Sequence, residues 1–399
     1  MSRTPSDAQP TPDASARIRL VDTPGAIDAT RWNDLLDATG APTPFMRHEY
    51  LLALHESASA SPAAGWVAQF LVVEDGDTLA AACPLYLKEH SYGEYVFDWA
   101  WADAYRRNGL DYYPKGLVAV PFTPVPGPRL LAVDAQARAA LAGGLVVAAQ
   151  RMQWSSLHVL FPDRADSTAL ASQSLLERKG VQFPWQNPGY ASFGEFLSQL
   201  AQPKRKKILA ERRKVRDAGI VVEALAGADI TEADWDFFHR CYVMTYALHH
   251  STPYLEREFF SLVGQSMPEH LAMFVARRGD KGKRVAASLL FHDSQAIYGR
   301  YWGAVEYIAC LHFEASYYAP MEWAIARGLS RFEGGAQGEH KMARGFLPVQ
   351  TNSFHWLAHP SFNDAIARYL EREAGGIDEY LDELRERSPL RGAGATPPG

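Results

Sequence analysis

The sequence predicts an α/β fold of two tandem domains with similar architecture, and three observations lead to this prediction. The chain has 399 residues, which exceeds one ordinary core and suits two domains of about 150–200 residues each. Strand-like and helical patterns alternate along it, and the same order occurs twice. Residues 203–216 separate the two halves. They hold eight basic side chains and one acidic one, although the whole chain carries a net charge of −6.

Apolar periodicity and turn residues define the elements of the first half. Asp75-Gly76-Asp77 separates two apolar runs and predicts a hairpin, and the aromatic stretch 92–101 is interpreted as a continuation of the sheet. The predicted elements are a strand at 17–21, helices at 30–38 and 48–57, strands at 69–74 and 79–87, a helix at 135–152, a strand at 157–161 and a helix at 168–179.

The second half repeats this order. Thr231 is the predicted N-cap of a helix at 232–248, and Pro320 is expected to kink a later helix. The predicted elements are a strand at 220–225, helices at 232–248 and 255–263, strands at 271–276, 285–291 and 296–302, a helix at 312–327, strands at 331–333 and 352–357, and a charged helix at 371–387.

These elements define the predicted domain organisation. The first domain is expected at 17–202 and the second at 219–360, with a basic connecting helix at 203–218 and a helical segment at 361–388. Residues 1–16 and 389–399 have the polar, Pro- and Gly-rich composition of disordered tails.

Composition excludes several classes of protein. Hydrophobic residues make up 47% of the chain and charged residues 22%, which is typical of a globular protein. Cys83, Cys241 and Cys310 are widely spaced and odd in number, so they indicate buried thiols and neither a disulfide framework nor a metal site. No run approaches the ~20 apolar residues of a membrane span, and we expect a cytoplasmic location. The sequence has no P-loop, GxSxG or HExxH motif.

The strongest candidate site lies between residues 333 and 346. Gly334, Gly335 and Gly338 are costly in regular structure and indicate tight backbone geometry or close approach of a ligand. Ionisable and amide side chains follow. We expect Glu339 or His340 to act as a general base for an attacking amine, and Lys341 and Arg344 to hold a phosphate or carboxylate. Gln337 is a further binding candidate. The alternative is a surface turn before a solvated helix.

Three other segments are candidates. His312, Glu314 and Tyr317 lie where a helix follows the central strands; the alternative is a helix-start histidine and core tyrosines. Tyr246 belongs to a segment that would line a cleft. In the first half, aromatic residues alternate with acids and a lysine, which suits recognition of a sugar, a peptide or a base, or equally a sheet-face core. The candidates there are Asp98, Trp101 and Lys115.

Several long motifs resemble a known family, the FemAB-like predicted N-acyltransferases associated with peptidoglycan biosynthesis or recognition. The resemblance extends from about residue 18 to residue 387. It is carried by Pro84-Leu85-Tyr86-Leu87-Lys88, Gly93-Glu94-Tyr95-Val96-Phe97-Asp98, Trp101-Ala102-Asp103-Ala104-Tyr105, Tyr112-Tyr113-Pro114-Lys115, Gly127-Pro128-Arg129, Phe332-Glu333-Gly334-Gly335-Ala336-Gln337-Gly338-Glu339-His340-Lys341 and Arg344-Gly345-Phe346.

The resemblance implies two tandem acyl-CoA N-acyltransferase (GNAT-like) domains. It implies transfer of an acyl group from acyl-CoA or aminoacyl-tRNA to an amine on a muropeptide or small-molecule acceptor. Our hypothesis for this reaction adds Tyr317 as proton donor to the leaving group. No tightly bound cofactor or metal is expected. Acetyl-CoA users carry a Gln/Arg-x-x-Gly-x-Gly/Ala loop, whereas residues 304–312 contain no glycine. This favours another carrier, with the basic helix contacting its phosphates. The alternative is a non-catalytic module of the same fold that binds peptidoglycan fragments or a nucleotide.

Overall fold

We describe the protein from a computed structural model in which residues 17–76, 78–335 and 338–390 are described. The predicted tail 1–16, most of the tail 389–399, Asp77 and Gln337 lie outside these residues. The strands are β1 (Arg17–Val21), β2 (Trp66–Ala68), β3 (Phe70–Asp75), β4 (Thr78–Cys83), β5 (Leu85–Lys88), β6 (Lys115–Val118), β7 (Leu131–Ala132), β8 (Ser156–Leu160), β9 (Leu176–Gln182), β10 (Pro184–Gln186), β11 (Ile220–Ala226), β12 (Leu271–Arg278), β13 (Arg284–His292), β14 (Ala296–Ala304), β15 (Arg331–Glu333) and β16 (Val349–Leu357).

The helices pack on both sides of these strands. They are α1 (Ala29–Ala38), α2 (His48–Glu56), α3 (Trp99–Arg107), α4 (Ala135–Arg151), α5 (Arg164–Ser172), α6 (Phe193–Gln199), α7 (Gln202–Asp217), α8 (Glu232–Leu248), α9 (Arg257–Ser266), α10 (Leu311–Phe313), α11 (Ala319–Ala326) and α12 (Pro360–Glu386). A π-helical turn, Glu314–Tyr318, joins α10 to α11. None of the helices in the described part of the chain is long and apolar enough to cross a membrane.

Most predicted elements are confirmed, and α8 has the predicted bounds. Thr231 caps it in a capping box, in which Asp234 bonds back to the Thr231 backbone. The basic segment forms α7, as expected. The predicted helix 312–327 is interrupted by the π-helical turn, which ends two residues before Pro320. Pro320 itself is the second residue of α11.

Three expectations about single elements are wrong. The predicted strand 79–87 is two strands, β4 and β5, which belong to different sheets. The stretch 92–101 does not continue the sheet, because Gly93 and Tyr95 have φ angles of 82° and 65° that interrupt an extended strand, and the chain then enters α3. The predicted helix 168–179 ends at residue 172. Two residues later Ser174, with φ 59°, turns the chain toward β9.

The strands form three mixed or antiparallel sheets. Their orders are β1-β3-β4-β7, then β2-β5-β6-β8-β16-β9, then β10-β15-β14-β13-β12-β11. The two six-stranded sheets each contain one parallel pair, β6 with β8 in the first and β14 with β15 in the second. Beyond residues 298 and 333 the parallel pair of the second sheet ends, β14 continues to Ala304 and the chain after β15 turns away. A cleft opens at this divergence.

The two halves of the chain exchange strands. β16, which falls within the predicted segment 219–360, is inserted between β8 and β9 of the first sheet and is antiparallel to both. In return β10, from the first half, pairs with β15 at the edge of the second sheet. Each sheet therefore satisfies its backbone hydrogen bonds with a strand from the opposite half.

The largest apolar core also joins the halves. Trp32 and Leu54 belong to it, as do Phe259 and Phe260 from α9. The rings of Tyr50 on α2 and Phe259 meet edge to face with centroids 5.5 Å apart, a geometry that adds to the apolar contact. The interface between the halves is thus an interior of the protein.

We predict that the halves unfold together. Phe354 on β16 is buried in the first-half core and Trp185 on β10 in the second-half core. Phe354→Ala and Trp185→Ala should each cost about 3–5 kcal/mol and shift one shared transition. Urea unfolding followed by circular dichroism and by tryptophan fluorescence checks this. Two separate transitions, of which each variant moves only one, would contradict it. Val221→Ala, at an exposed strand position, is the control and should change little.

Candidate active site

The Gly-rich segment folds around the side chain of Lys341. The strand β15 ends at Glu333, and the Lys341 Nζ donates a 2.8 Å hydrogen bond to the carbonyl of Gly335. A Cβ at Gly334 would lie 2.8 Å from the Phe346 ring, and a Cβ at Gly338 would lie 2.8 Å from the Lys341 Cδ. Close approach of side chains therefore requires these glycines.

Burial perturbs the charges at this turn. Lys341 is 2% exposed. Burial, with a smaller contribution from Arg300, lowers its pKa to about 8, and Glu333 opposes this shift. Burial also raises the pKa of Glu333, while Arg331 and Lys341 oppose the rise. The end of β15 therefore places an amine and a carboxyl with altered protonation beside the diverging strands.

A cavity of about 90 Å³ lies where β14 and β15 diverge. Gly334, His312 and Tyr317 are among the residues that line it. The His312 ring lies 5.5 Å from the Tyr317 ring and 5.3 Å from the Trp302 ring, measured between centroids. Burial raises the pKa of Tyr317 to about 12, so its hydroxyl stays protonated near neutral pH and can donate a proton.

A second cavity, of about 280 Å³, lies beside β14 and includes the predicted residue Tyr246. It shares Arg300, Tyr301 and Trp302 with the smaller cavity. β14 carries a bulge here: Leu289 and Leu290 pair with Tyr301 and Gly299, so Arg300 is the extra residue. Bulges redirect side chains and often occur beside functional sites.

Other predicted site residues are engaged elsewhere. The Glu339 carboxylate is about half exposed and forms an ion pair of 3.1 Å with Arg387 near the end of α12. Glu314 receives two hydrogen bonds from the Arg212 Nε and one from its Nη2, at 2.8–3.1 Å. The side chain of His340 lies outside the described residues. The structure thus brings His312 and Tyr317 together and directs Glu339 and Glu314 to other partners.

Arg344 is buried against the connecting helix. Its Nη2 donates to the Glu211 carboxylate at 3.1 and 3.2 Å, its Nε donates to the Tyr318 hydroxyl at 2.9 Å, and its guanidinium lies 3.5 Å from the Phe313 ring centroid. The Tyr318 hydroxyl also donates to Glu211. Through these contacts α7 holds the segment after the glycines in place.

The first-half candidates form a separate, buried polar cluster. The Lys115 Nζ donates to Ser91 at 2.7 Å, to Glu94 at 2.8 Å and to Asp98 at 2.5 Å. Lys115 itself is fully buried. One ammonium group thus serves two carboxylates. Burial would raise the pKa of Asp98, but Lys115 and His158 hold it below its usual value, whereas burial raises the pKa of Glu94 to about 7 despite Lys115.

A hydrogen-bonded chain links this cluster to β16. The Tyr112 hydroxyl donates to Asp98 at 2.7 Å and lies 3.1 Å from the His158 Nε2. The Nδ1 atoms of His158 and His355 are 2.7 Å apart, and Trp101 packs edge-on against His355 with centroids 4.9 Å apart. Burial lowers the pKa of His158 to about 3. The contact between the two imidazoles ties β16 to the first half.

Sequence reasoning missed several of these residues. Glu333 is a carboxylate that ends a strand immediately before two glycines, and that position was a usable signal. His158 and His355 each interrupt an apolar strand, in Leu157-His158-Val159 and Phe354-His355-Trp356, and a polar residue in such a run indicates a buried partner. No cluster of three or more His, Cys, Asp or Glu side chains in the described ranges is arranged to hold a metal ion.

The sheets and the cleft define a protein of two tandem GNAT-like domains. The chain belongs to the FemAB-like family, whose model, described as peptidoglycan biosynthesis/recognition, matches residues 24–392. No curated protein sequence matches this chain.

Three solved structures share this fold, and each alignment covers 86–88% of this chain and 96–98% of the other. FemX is 11% identical, with a TM-score of 0.53 over 86% of this chain and 98% of its own. The L-PGS from Bacillus licheniformis is 10% identical, with a TM-score of 0.52 over 86% and 97%. The C-terminal domain of a putative lysylphosphatidylglycerol synthetase from Agrobacterium fabrum is 10% identical, with a TM-score of 0.51 over 88% and 96%. These likenesses confirm the predicted fold.

The raised pKa of Glu94 predicts a pH-dependent stability. Between pH 4.5, the ordinary value, and about 7 the unfolded chain loses the Glu94 proton while the folded protein keeps it. The free energy of unfolding should therefore fall as pH rises through this window, by an amount on the order of 3 kcal/mol, and level off above it.

Urea unfolding of the wild type and of Glu94→Gln between pH 4.5 and 8 measures this contribution as their difference. Glu177→Gln, at an exposed position on β9 in the sheet that contains Lys115, is the matched control and should follow the wild type. A Glu94→Gln curve parallel to the wild-type curve would show that Glu94 does not titrate in this range.

Proposed function

We propose that the protein transfers an acyl or aminoacyl group from an activated donor to an amine on a peptidoglycan-related acceptor. The observation that carries this proposal is the cavity at the divergence of β14 and β15, where a protonated Tyr317 hydroxyl and the His312 imidazole line the same space. Membership of the FemAB-like family supports the choice of acceptor.

The chemistry needs one proton acceptor and one proton donor. The acceptor amine attacks the carbonyl carbon of the donor, a C–N bond forms, and the C–S bond of a thioester or the C–O bond of an aminoacyl ester breaks. His312 takes the proton that the amine loses. Tyr317 gives its proton to the departing sulfur or oxygen and regains one from protonated His312 or from solvent, so that both side chains return to their starting states.

The base is assigned by position. The sequence suggested Glu339 or His340, but the Glu339 carboxylate pairs with Arg387 on the exposed face of α12. His312 lines the cavity directly. We therefore propose His312 as the general base, and His340 stays a candidate from the sequence.

Two donors fit the chain, and two features favour aminoacyl-tRNA over acyl-CoA. Residues 304–312 lack the glycines of an acetyl-CoA loop. α7 also presents exposed basic side chains that form no ion pair with an acid of the described residues; they are Lys204, Lys206, Lys207, Arg213, Lys214 and Arg216. Such a surface suits a polyphosphate backbone. The cytoplasmic location expected from the sequence stays a prediction.

We predict that His312→Ala lowers turnover by about 10²- to 10⁴-fold, because it removes the proton acceptor, and that Tyr317→Phe also lowers it. Glu339→Gln is the matched control and should retain near wild-type turnover. Mass spectrometry of a muropeptide amine incubated with charged tRNA, acetyl-CoA or longer acyl-CoAs measures the transfer. The base assignment fails if Glu339→Gln loses activity while His312→Ala keeps it.

A non-catalytic binding module is the second candidate, and the glycine-free segment 304–312 favours it. Such a module should be stabilised by a muropeptide alone. An enzyme should also be stabilised by at least one donor. Thermal unfolding with each ligand separately decides between them, and stabilisation by muropeptide with no response to any donor would overturn the transferase proposal.

A further inference from the structure

Arg300 occupies an unusual position between the two halves. It is the extra residue of the β14 bulge, and it lines both cavities beside that strand. Its Nη2 donates to the carbonyl of Phe122 from the first half. Its guanidinium carbon lies 5.2 Å from the Tyr301 ring centroid and 5.8 Å from that of Phe45.

The charge of Arg300 has no carboxylate partner in the described part of the chain. Arg344 and Lys115, which are buried, are paired with the acids Glu211 and Glu94, and the buried Lys88 and Lys341 each donate to a backbone carbonyl. Arg129, also buried, has its guanidinium bonded to four backbone carbonyls. Arg300 has the Phe122 carbonyl, and its buried Nε has no hydrogen-bond partner. Arg300 is half-buried, and a cation held partly out of water without a compensating charge is costly unless an anion binds to it.

The surroundings of Arg300 add positive charge and polar groups. Lys341 is close enough for Arg300 to lower its pKa. The larger cavity brings phenolic and hydroxyl groups to the same place, including Tyr242, Tyr246 and Ser251. A planar guanidinium binds a carboxylate or a phosphate through two parallel hydrogen bonds.

We propose that Arg300 is the anchor for an oxyanion of the substrate, a carboxylate or a phosphate, bound in the cavity between β14 and α8. This deepens the transferase proposal and rests on it for the statement that the anion belongs to a substrate. The guanidinium face toward the cavity supplies the binding, while the Nη2 bond to the Phe122 carbonyl fixes the side chain. The amine that reacts then lies on the opposite side of β14, near His312 and Tyr317.

Isothermal titration of the full-length protein with two probes tests this without any donor or turnover. The probes are pyrophosphate and a muramyl dipeptide with its single carboxylate either free or amidated. We expect Arg300→Gln to weaken binding of pyrophosphate, or of the dipeptide with its free carboxylate, at least 10-fold. Arg300→Lys keeps the charge but loses the planar fork, so its binding should be intermediate.

Arg284→Gln is the matched control. Arg284 lies on the neighbouring strand β13 and also contacts an aromatic ring, Phe237, at 5.2 Å, but it is paired with Asp234. It should leave probe binding unchanged. If Arg300→Gln fails to fold, Arg300→Lys carries the comparison.

Each outcome decides the proposal. Pyrophosphate binding that depends on Arg300 assigns a phosphate, and a loss of affinity on amidation that depends on Arg300 assigns a carboxylate. Wild-type affinity in Arg300→Gln, or in Arg300→Lys when it stands in for an unfolded Arg300→Gln, overturns the anchor. So does equal affinity for free and amidated dipeptide without pyrophosphate binding, or absence of binding by both probes. Because no acyl transfer is measured, failure of the transfer assay leaves this result standing, and failure here leaves the transfer chemistry to be judged by its own assay.

Discussion

Backbone hydrogen bonds between strands from opposite halves hold the architecture together. β16 lies inside the first sheet with a partner on each side, and β10 completes the edge of the second sheet next to β15. Neither sheet has its full set of partners without the distant strand. The functional geometry depends on the same exchange, because β16 carries His355 into the first-half cluster and β10 flanks the strand that ends at Glu333.

The pairing of buried cations with carboxylates and hydroxyl groups is a second constraint on the structure. Lys115 is placed among Ser91, Glu94 and Asp98, and Arg344 joins Glu211 and Tyr318. These groups are satisfied internally and serve to fix elements relative to each other: the first binds the loop before α3 to β6, and the second binds α7 to the segment after the glycines. Against this background the bulge of β14 stands apart, since its charged residue Arg300 lines two cavities. Differences in how completely a charge is compensated thus separate structural clusters from the candidate site.

The sequence was informative where structure is determined locally. Thr231 and Asp234 determine the start of α8 through contacts three residues apart, and the Gly-rich turn was recognisable from its glycines. Of the exchanged strands, β16 was predicted in part, at residues 352–357, and β10 was not predicted. Their sheet pairing was not predictable either, because residues such as His158 and His355 are 197 positions apart when they meet. The direction of Glu339 depends on a short 3₁₀ turn and on the position of Arg387 at the end of α12. The role of Arg300 depends on a bulge defined by the neighbouring strand. Local patterns carry no information about such pairings.

The interior position of β16 has a consequence for biosynthesis. While the chain emerges from the ribosome, β8 and β9 are complete long before residue 357 appears. The position of β16 between them stays unfilled until then. At 5–20 residues per second the wait lasts roughly ten to thirty seconds. The N-terminal half therefore cannot finish folding in the order of its synthesis, and it is during this interval that its open strand edges are accessible to chaperones and to other nascent chains.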